Sequence, residues 1–248
     1  MHRLLAFFIL IICSFSSQQS LASTKPFTLV TDTWPPYIIK NGTELSGTDV
    51  DVTRAIFERL DIPLEIQIAP WKRCLNMMKN KTADGILGVS LTAKRKAFLY
   101  YPNSPVSEGT TVFFTHHKRT FQVDNLAALN DKRAGAILGY SYCDELDSLD
   151  FIKHAERVST LEQNFKKLMA NRLDIVVEVD SVGLYTAKKM GLDDKISVIP
   201  DARFCKGGNY LGFSKKEKNK ILMGKFNDEL KAFKETAQYK SILRKYGL

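Results

Sequence analysis

Asp84-Gly85-Ile86-Leu87-Gly88-Val89-Ser90-Leu91-Thr92-Ala93-Lys94-Arg95 is the stretch from which the fold is read. Its first half is an apolar run of strand length, and its second half brings two hydroxyls and a pair of cations. That order predicts a buried strand whose end opens into a helix start. A helix N-terminus offers unpaired backbone N–H groups and the positive end of the helix dipole. Arg95 adds a planar fork of donors that fits a carboxylate with two parallel hydrogen bonds. The junction suits a small anion. A plainer reading uses the same residues: Ser90 or Thr92 caps a helix and Arg95 is solvated.

Outward from this junction, strands and helices alternate. Phe27-Thr28-Leu29-Val30 reads as a strand that runs into Thr31-Asp32-Thr33-Trp34-Pro35-Pro36-Tyr37, where two prolines force an extended or turning loop. Val50, Ile56 and Leu60 fall at helical spacing, and Leu64, Ile66 and Ile68 alternate as a strand. Pro70 then opens a helix whose apolar face is Trp71, Cys74, Leu75 and Met78. The result is a βαβαβ pattern, which favours a parallel sheet with helices outside.

A second set follows a crossover placed near His116-His117-Lys118-Arg119. Arg133 to Gly139 reads as a strand, Tyr140-Ser141-Tyr142 as a helix opening, Leu161 to Ala170 as an amphipathic helix, and Leu173 to Val179 as a buried strand. Ile196 to Pro200 reads as the return crossover, and the chain from Asn209 onward gives one strand and two helices. Two lobes joined by two crossovers enclose a cleft faced by the carboxyl ends of strands.

Met1-His2-Arg3, the apolar run Leu4–Ile12 and Ser20-Leu21-Ala22 have the form of a signal peptide cleaved after Ala22, so the protein is expected to be exported, to the periplasm. Cys13 lies too early in the apolar segment, behind a bulky Ile12, for a lipid anchor. Three cysteines then remain, Cys74, Cys143 and Cys205, allowing at most one disulfide among three possible pairings. No Cys-x-x-Cys is present, and the histidines are adjacent or isolated, so neither redox catalysis nor a metal site is expected. The formal charge of +9, which falls to +8 without Arg3, is spread over lysines without interleaved aromatics, so nucleic acid is not an expected partner.

Taken together, Trp34-Pro35-Pro36-Tyr37, Gly47-Thr48-Asp49-Val50-Asp51, Ser90 to Arg95, and Arg172-Leu173-Asp174-Ile175-Val176-Val177 resemble the periplasmic solute-binding proteins of polar-amino-acid ABC importers, extracellular solute-binding family 3. The resemblance spans essentially the whole mature chain. It implies an α/β, two-lobed periplasmic-binding-protein fold of type II, each lobe a mostly parallel sheet flanked by helices, with two crossover strands. The expected boundaries are 1–22 for the signal, 23–113 and 199–248 for the first lobe, and 114–198 for the second. It further implies a monomer that captures a small carboxylate-bearing solute, a polar or aromatic amino acid, and delivers it to an ABC permease without catalysis or cofactor.

By the same resemblance Arg95 grips the ligand α-carboxylate, among donors from Ser90 and Thr92. Gly88 offers a backbone acceptor to the ligand amine, and Trp34, Tyr37 and Trp71 supply aromatic walls. Tyr140 and Ser141 open the second-lobe helix that closes on the carboxylate. One position departs from the pattern. The amine-binding aspartate of the family falls on Val179, with Glu178 before it and Asp180 after it. A one-residue change along a strand turns the side chain to the other face, so Asp180 serves the amine only if the strand has ended by then. Two alternatives use the same pocket. One is an accessory that presents ligand to a signalling receptor, and the other is a dehydratase-like enzyme with Glu178 as general acid.

Overall fold

In the computed structural model, which describes residues 25–119, 123 and 125–247, the alternating pattern is present element by element. The apolar segment at residues 1–22 and its cleavage point lie outside the described residues. β1 (Phe27–Thr31) leads through the proline turn and a small hairpin, β2 (Ile39–Asn41) with β3 (Glu44–Ser46), into α1 (Thr48–Arg59). β4 (Leu64–Ile68), α2 (Trp71–Lys79) and β5 (Gly85–Ser90) follow. Pro70 is the N-cap of α2, where a missing N–H leaves no hydrogen bond unmade. The helix buries Trp71, Cys74 and Met78, while Leu75 is half-buried. α3 (Ala93–Lys96) is a single turn.

β6 (Leu99–Tyr100) precedes the long β7 (Ser107–His116), which carries the chain toward the second lobe. That lobe contains β8 (Ala134–Ile137), α4 (Asp144–Ser148), α5 (Asp150–Lys153), β9 (Glu156–Val158), α6 (Leu161–Met169), β10 (Ile175–Val179) and α7 (Asp180–Lys189). A capping box fixes the start of α6: Thr160 accepts from the Gln163 N–H, and the Gln163 side chain accepts from the Thr160 N–H. β11 (Ile196–Ser214) returns, and α8 (Glu217–Lys234) and α9 (Ala237–Lys245) end the chain.

The strands lie in the order β4-β1-β5-β11-β7-β10-β8-β9, with β6 on β11. β4-β1-β5 are parallel to one another, and so are β10-β8-β9. β7 and β11 run antiparallel between these two sets. The carboxyl end of β11 pairs with β5, and that of β7 pairs with β10. This is a two-lobed α/β fold with two connecting strands. Phe27, Phe57, Phe213 and Phe226 pack ring against ring under the first set, and Phe114 meets Phe165 under the second.

One expected element is absent. Tyr140-Ser141-Tyr142 does not open a helix, because Gly139 has a φ of +83° and turns the chain sharply after β8. The Tyr142 hydroxyl then folds back to accept from the Ile137 N–H at 3.0 Å. The helix waits until Asp144, capped by Cys143.

Cys143 is joined to Cys205 on β11, with Cα atoms 6.4 Å apart, and Cys74 is a buried free thiol. The bridge closes a separation of 62 residues, for which loop entropy gives about 4 kcal/mol as an upper estimate. At roughly 2–4 °C per kcal/mol for a chain of this size, the paired substitution Cys143→Ser, Cys205→Ser is expected to lower Tm by about 10 °C. Scanning calorimetry checks this, and an unchanged Tm would show that the folded state gains nothing from the bond.

Candidate functional site

Carboxyl ends of strands from both lobes meet at one cavity. Thr31 and Asp32 enter from the end of β1, Gly88 and Ser90 from β5, Tyr140, Ser141 and Tyr142 from the turn after β8, and Glu178 and Val179 from β10. Trp34, Trp71 and Arg95 complete the wall. The centres of water-sized molecules have about 60 Å³ in it, against about 10–15 Å³ for a single water. The space suits a small solute.

Arg95 is only 6% exposed. Its Nη1 donates to the Ser90 carbonyl at 3.2 Å and to Ser90 Oγ, and its Nη2 donates across the cleft to the Gly139 carbonyl at 3.1 Å. Its guanidinium also lies 5.8 Å from the centre of the Trp71 ring. Among the described residues no carboxylate lies within 4 Å of it, so its direct contacts are dipoles and a ring face, and Asp147 acts on its charge only from farther away. Burial of this kind shifts its pKa downward.

The opposite charge is Glu178, 1% exposed. It shares strand parity with Val176, on the face turned to the main core, but sits at the cleft end where the core stops. Its Oε1 accepts from Trp34 Nε1 at 3.3 Å and from the Val179 N–H at 2.9 Å. Its Oε2 has no partner, and no cation lies within 4 Å of the carboxyl, among the described residues. Desolvation pushes its pKa up to about 7, against the lowering effect of those two hydrogen bonds. Asp32 borders the same space. Its two oxygens accept from the Trp71 and Thr33 N–H groups at 2.9 and 2.8 Å, and burial raises its pKa.

The lobes touch through these same groups. Gly139 O accepts from Trp71 Nε1 at 3.3 Å as well as from Arg95, and Ser90 Oγ donates to Ser141 O at 3.2 Å. The lining continues past Trp34 and Glu178 into an acidic recess that adds Glu162, Ser159 and Thr160.

Of the residues singled out in the sequence, Trp34, Trp71, Gly88, Ser90, Arg95, Tyr140 and Ser141 line the cavity together. Gly88 has a φ of +77°, and a Cβ there would stand 3.3 Å from Ile38 Cδ1 and 4.0 Å from Trp34 Cε3. Three others are elsewhere. Thr92 caps α3, accepting from the Arg95 N–H at 3.2 Å, and faces an outer groove. Tyr37 stacks behind Trp34 at 4.9 Å, and its hydroxyl donates to Glu108 O and accepts from Ser181 Oγ. Asp180 begins α7 and accepts from the Ser181 N–H at 2.8 Å, so it is not on the cavity wall. Glu178 holds that side of the wall instead. The signal for it was present: Glu178 is the one charged residue inside the apolar run Ile175–Val179. Asn209, Gly207 and Gly208, contributed by β11, carried no comparable signal.

The chain is similar to proteins that bind small solutes. The arginine-binding extracellular protein ArtP of Bacillus subtilis (strain 168) is 24% identical over 96% of this chain and 92% of its own. The arginine-binding periplasmic protein of Mannheimia haemolytica is 22% identical over 91% and 92%. Among solved structures, a histidine kinase sensor domain with similarity to periplasmic binding proteins superposes with a TM-score of 0.80 at 19% identity, covering 90% of this chain and 96% of that one. The arginine-, lysine-, histidine-binding protein ArtJ of Geobacillus stearothermophilus gives 0.77 at 22% identity, covering 90% and 95%. With the family model matched from residue 28 to residue 248, on a fold of two lobes that meet at one cavity, the chain belongs to the bacterial extracellular solute-binding proteins, family 3.

Proposed function

We propose that the cavity captures an α-amino acid as its zwitterion and that the protein delivers it to an ABC permease after export and signal cleavage. The observation that carries this reading is a buried cation and a buried carboxyl in one small cavity, Arg95 and Glu178, neither in an ion pair within 4 Å among the described residues. Buried charges are costly unless matched, and a ligand bearing both a carboxylate and an ammonium matches both. The carboxylate takes the fork of Arg95. The ammonium takes Glu178 Oε2 and the carbonyl of Gly88. Trp34, Trp71 and Tyr140 wall the side chain. A cationic side chain extends toward Asp32 and Glu162, in keeping with the arginine named for the relatives.

Capture is a shift between open and closed lobes. The Arg95–Gly139 and Ser90–Ser141 bonds hold the closed form, and the ligand adds contacts available only there. A second reading, a soluble sensor that presents its solute to a signalling receptor, is supported by the kinase sensor domain of the same fold. It uses the same pocket.

A thermal-shift screen against amino acids and small amine-free acids tests the ligand class. A ligand at a hundred times its Kd adds about 2.7 kcal/mol to the folded state, expected here as a rise of roughly 5–10 °C. Arginine and lysine are expected to give the largest rise. A response confined to amine-free acids would remove Glu178 from the ammonium and the amino acid from the pocket.

A further inference from the structure

The two connecting strands are bound to the lobes unequally along their length. From Asn209 onward β11 pairs with β5 of the first lobe, and from Thr111 onward β7 pairs with β10 of the second. Between these points residues 108–110 and 206–208 pair with each other, and no third strand pairs with them among the described residues. Gly109, Gly207 and Gly208 fall in this stretch, and glycine bends at the least steric cost. A short segment held by neither lobe, with permissive backbone, is the hinge.

Tyr37 crosses that hinge. Its backbone belongs to the first lobe, where its carbonyl accepts from the Asp49 N–H of α1 at 3.1 Å. Its hydroxyl donates to the Glu108 carbonyl at 3.1 Å, in the hinge strand, and accepts from Ser181 Oγ at 3.0 Å, on α7 of the second lobe. The order is forced: a carbonyl can only accept, so the single tyrosine proton goes there and the serine must donate. Gly109 allows the close approach, since a Cβ there would stand 2.5 Å from Val179 Cγ1 and 3.5 Å from the Tyr37 hydroxyl oxygen. Tyr37 is buried, so water does not replace a lost partner without cost. Neither Tyr37 nor Ser181 lines the cavity or the acidic recess beside it.

We propose that Tyr37 is a positioning residue whose hydroxyl straps the two lobes together across the hinge, and so sets the affinity for every solute by one common factor. The proposal rests on capture by lobe closure but not on which solute the cavity holds. A solute that binds the closed form meets only the fraction of molecules that is closed, so its apparent affinity scales with that fraction. The Arg95 and Ser90 bonds between lobes are made by residues of the cavity wall, where any change alters binding directly. The strap lies on the hinge side and acts with or without a solute.

Small-angle X-ray scattering of the solute-free full chain reads the strap first. Ser181→Ala removes only the bond between lobes, and Tyr37→Phe removes both hydroxyl bonds while its ring still stacks on Trp34. Each is expected to raise the radius of gyration above wild type, and Ser181→Thr, which keeps a hydroxyl, to leave it unchanged. Titration calorimetry with arginine and with lysine then reads affinity. Ser181→Ala and Tyr37→Phe are each expected to lose about two- to tenfold, the range for one hydrogen bond, by the same factor for both amino acids. An unchanged radius in both variants would overturn the proposal. So would a lowered Tm with no change in radius, the mark of a residue that only supports the fold, or a loss confined to one amino acid, which would place Tyr37 on the ligand. If wild type binds neither arginine nor lysine, the amino-acid reading of the pocket fails, and the scattering by itself still decides the strap.

Discussion

Arg95→Ala is expected to lower affinity for any carboxylate-bearing ligand by roughly 30-fold to several thousandfold, the range given by about 2–5 kcal/mol for removing one partner of a buried, hydrogen-bonded charge pair. The size follows from burial. At 6% exposure the ligand carboxylate would be left in a closed cavity without a cation. The unliganded protein is expected to lose much less, because the Gly139 carbonyl keeps its bond from Trp71 Nε1 when Arg95 is gone. Arg95→Lys separates charge from geometry. It keeps the cation but loses the planar fork, and affinity is expected to fall between the two limits. Titration calorimetry with the ligand found by the screen measures all three. Unchanged affinity in Arg95→Ala would remove the anion site from the cavity.

Glu178→Gln is expected to weaken an amine-bearing ligand by a comparable factor, to spare an amine-free acid, and to abolish a pH dependence. Burial holds the Glu178 carboxyl protonated up to about pH 7 in the free protein. An ammonium ligand favours the carboxylate, so binding expels a proton. Affinity therefore rises with pH up to about 7, by about tenfold per unit while the free site is protonated and the complex is not, and levels above it. In the unliganded protein the raised pKa acts in the opposite direction on stability. The unfolded chain releases this proton near 4.5, and the folded chain holds it until about 7, so stability falls as pH rises through that window.

Asp32, Arg95, Tyr140 and Tyr142 share the cavity with Glu178 and Glu162 shares the adjoining recess, and the tyrosines stay neutral throughout because burial raises them above 10. Asp49 is also raised to about 7 by burial, but it lies in the first turn of α1, bonded to Ser107 and outside the cavity wall. A pH slope that survives in Glu178→Gln would assign the proton to Asp32 or Asp49 and remove Glu178 from the ligand.

The alternation of apolar runs and helical spacings was enough to place β1, α1, β4, α2 and β5 in order, because each is fixed by period and by local stops such as Pro70. The strand-to-helix junction at Ser90–Arg95 was legible for the same reason: the residue that ends the strand, the cap of α3 and the arginine that lines the cavity are neighbours in sequence. Residues whose position depends on a turn were less legible. Tyr140-Ser141-Tyr142 has the composition of a helix opening, yet the positive φ of Gly139 and the Tyr142–Ile137 bond delay the helix to Asp144. Thr92 and Tyr37 have the right chemistry but are used inside their own elements, one as a cap and the other as backing for Trp34.

By itself the sequence determined the fold class, the strand-to-helix junction at Ser90–Arg95 and the arginine that follows it, since these rest on contacts between near neighbours in the chain. Only the tertiary structure decided which cysteines pair, that Glu178 rather than Asp180 borders the cavity, and that Gly139 receives two donors from the opposite lobe. Those outcomes depend on where β10 meets Trp34, 144 residues away in sequence, and on how β7 and β11 set one lobe against the other. Strand periodicity gives the direction of a side chain relative to its own sheet. It does not give what stands opposite once a second lobe arrives.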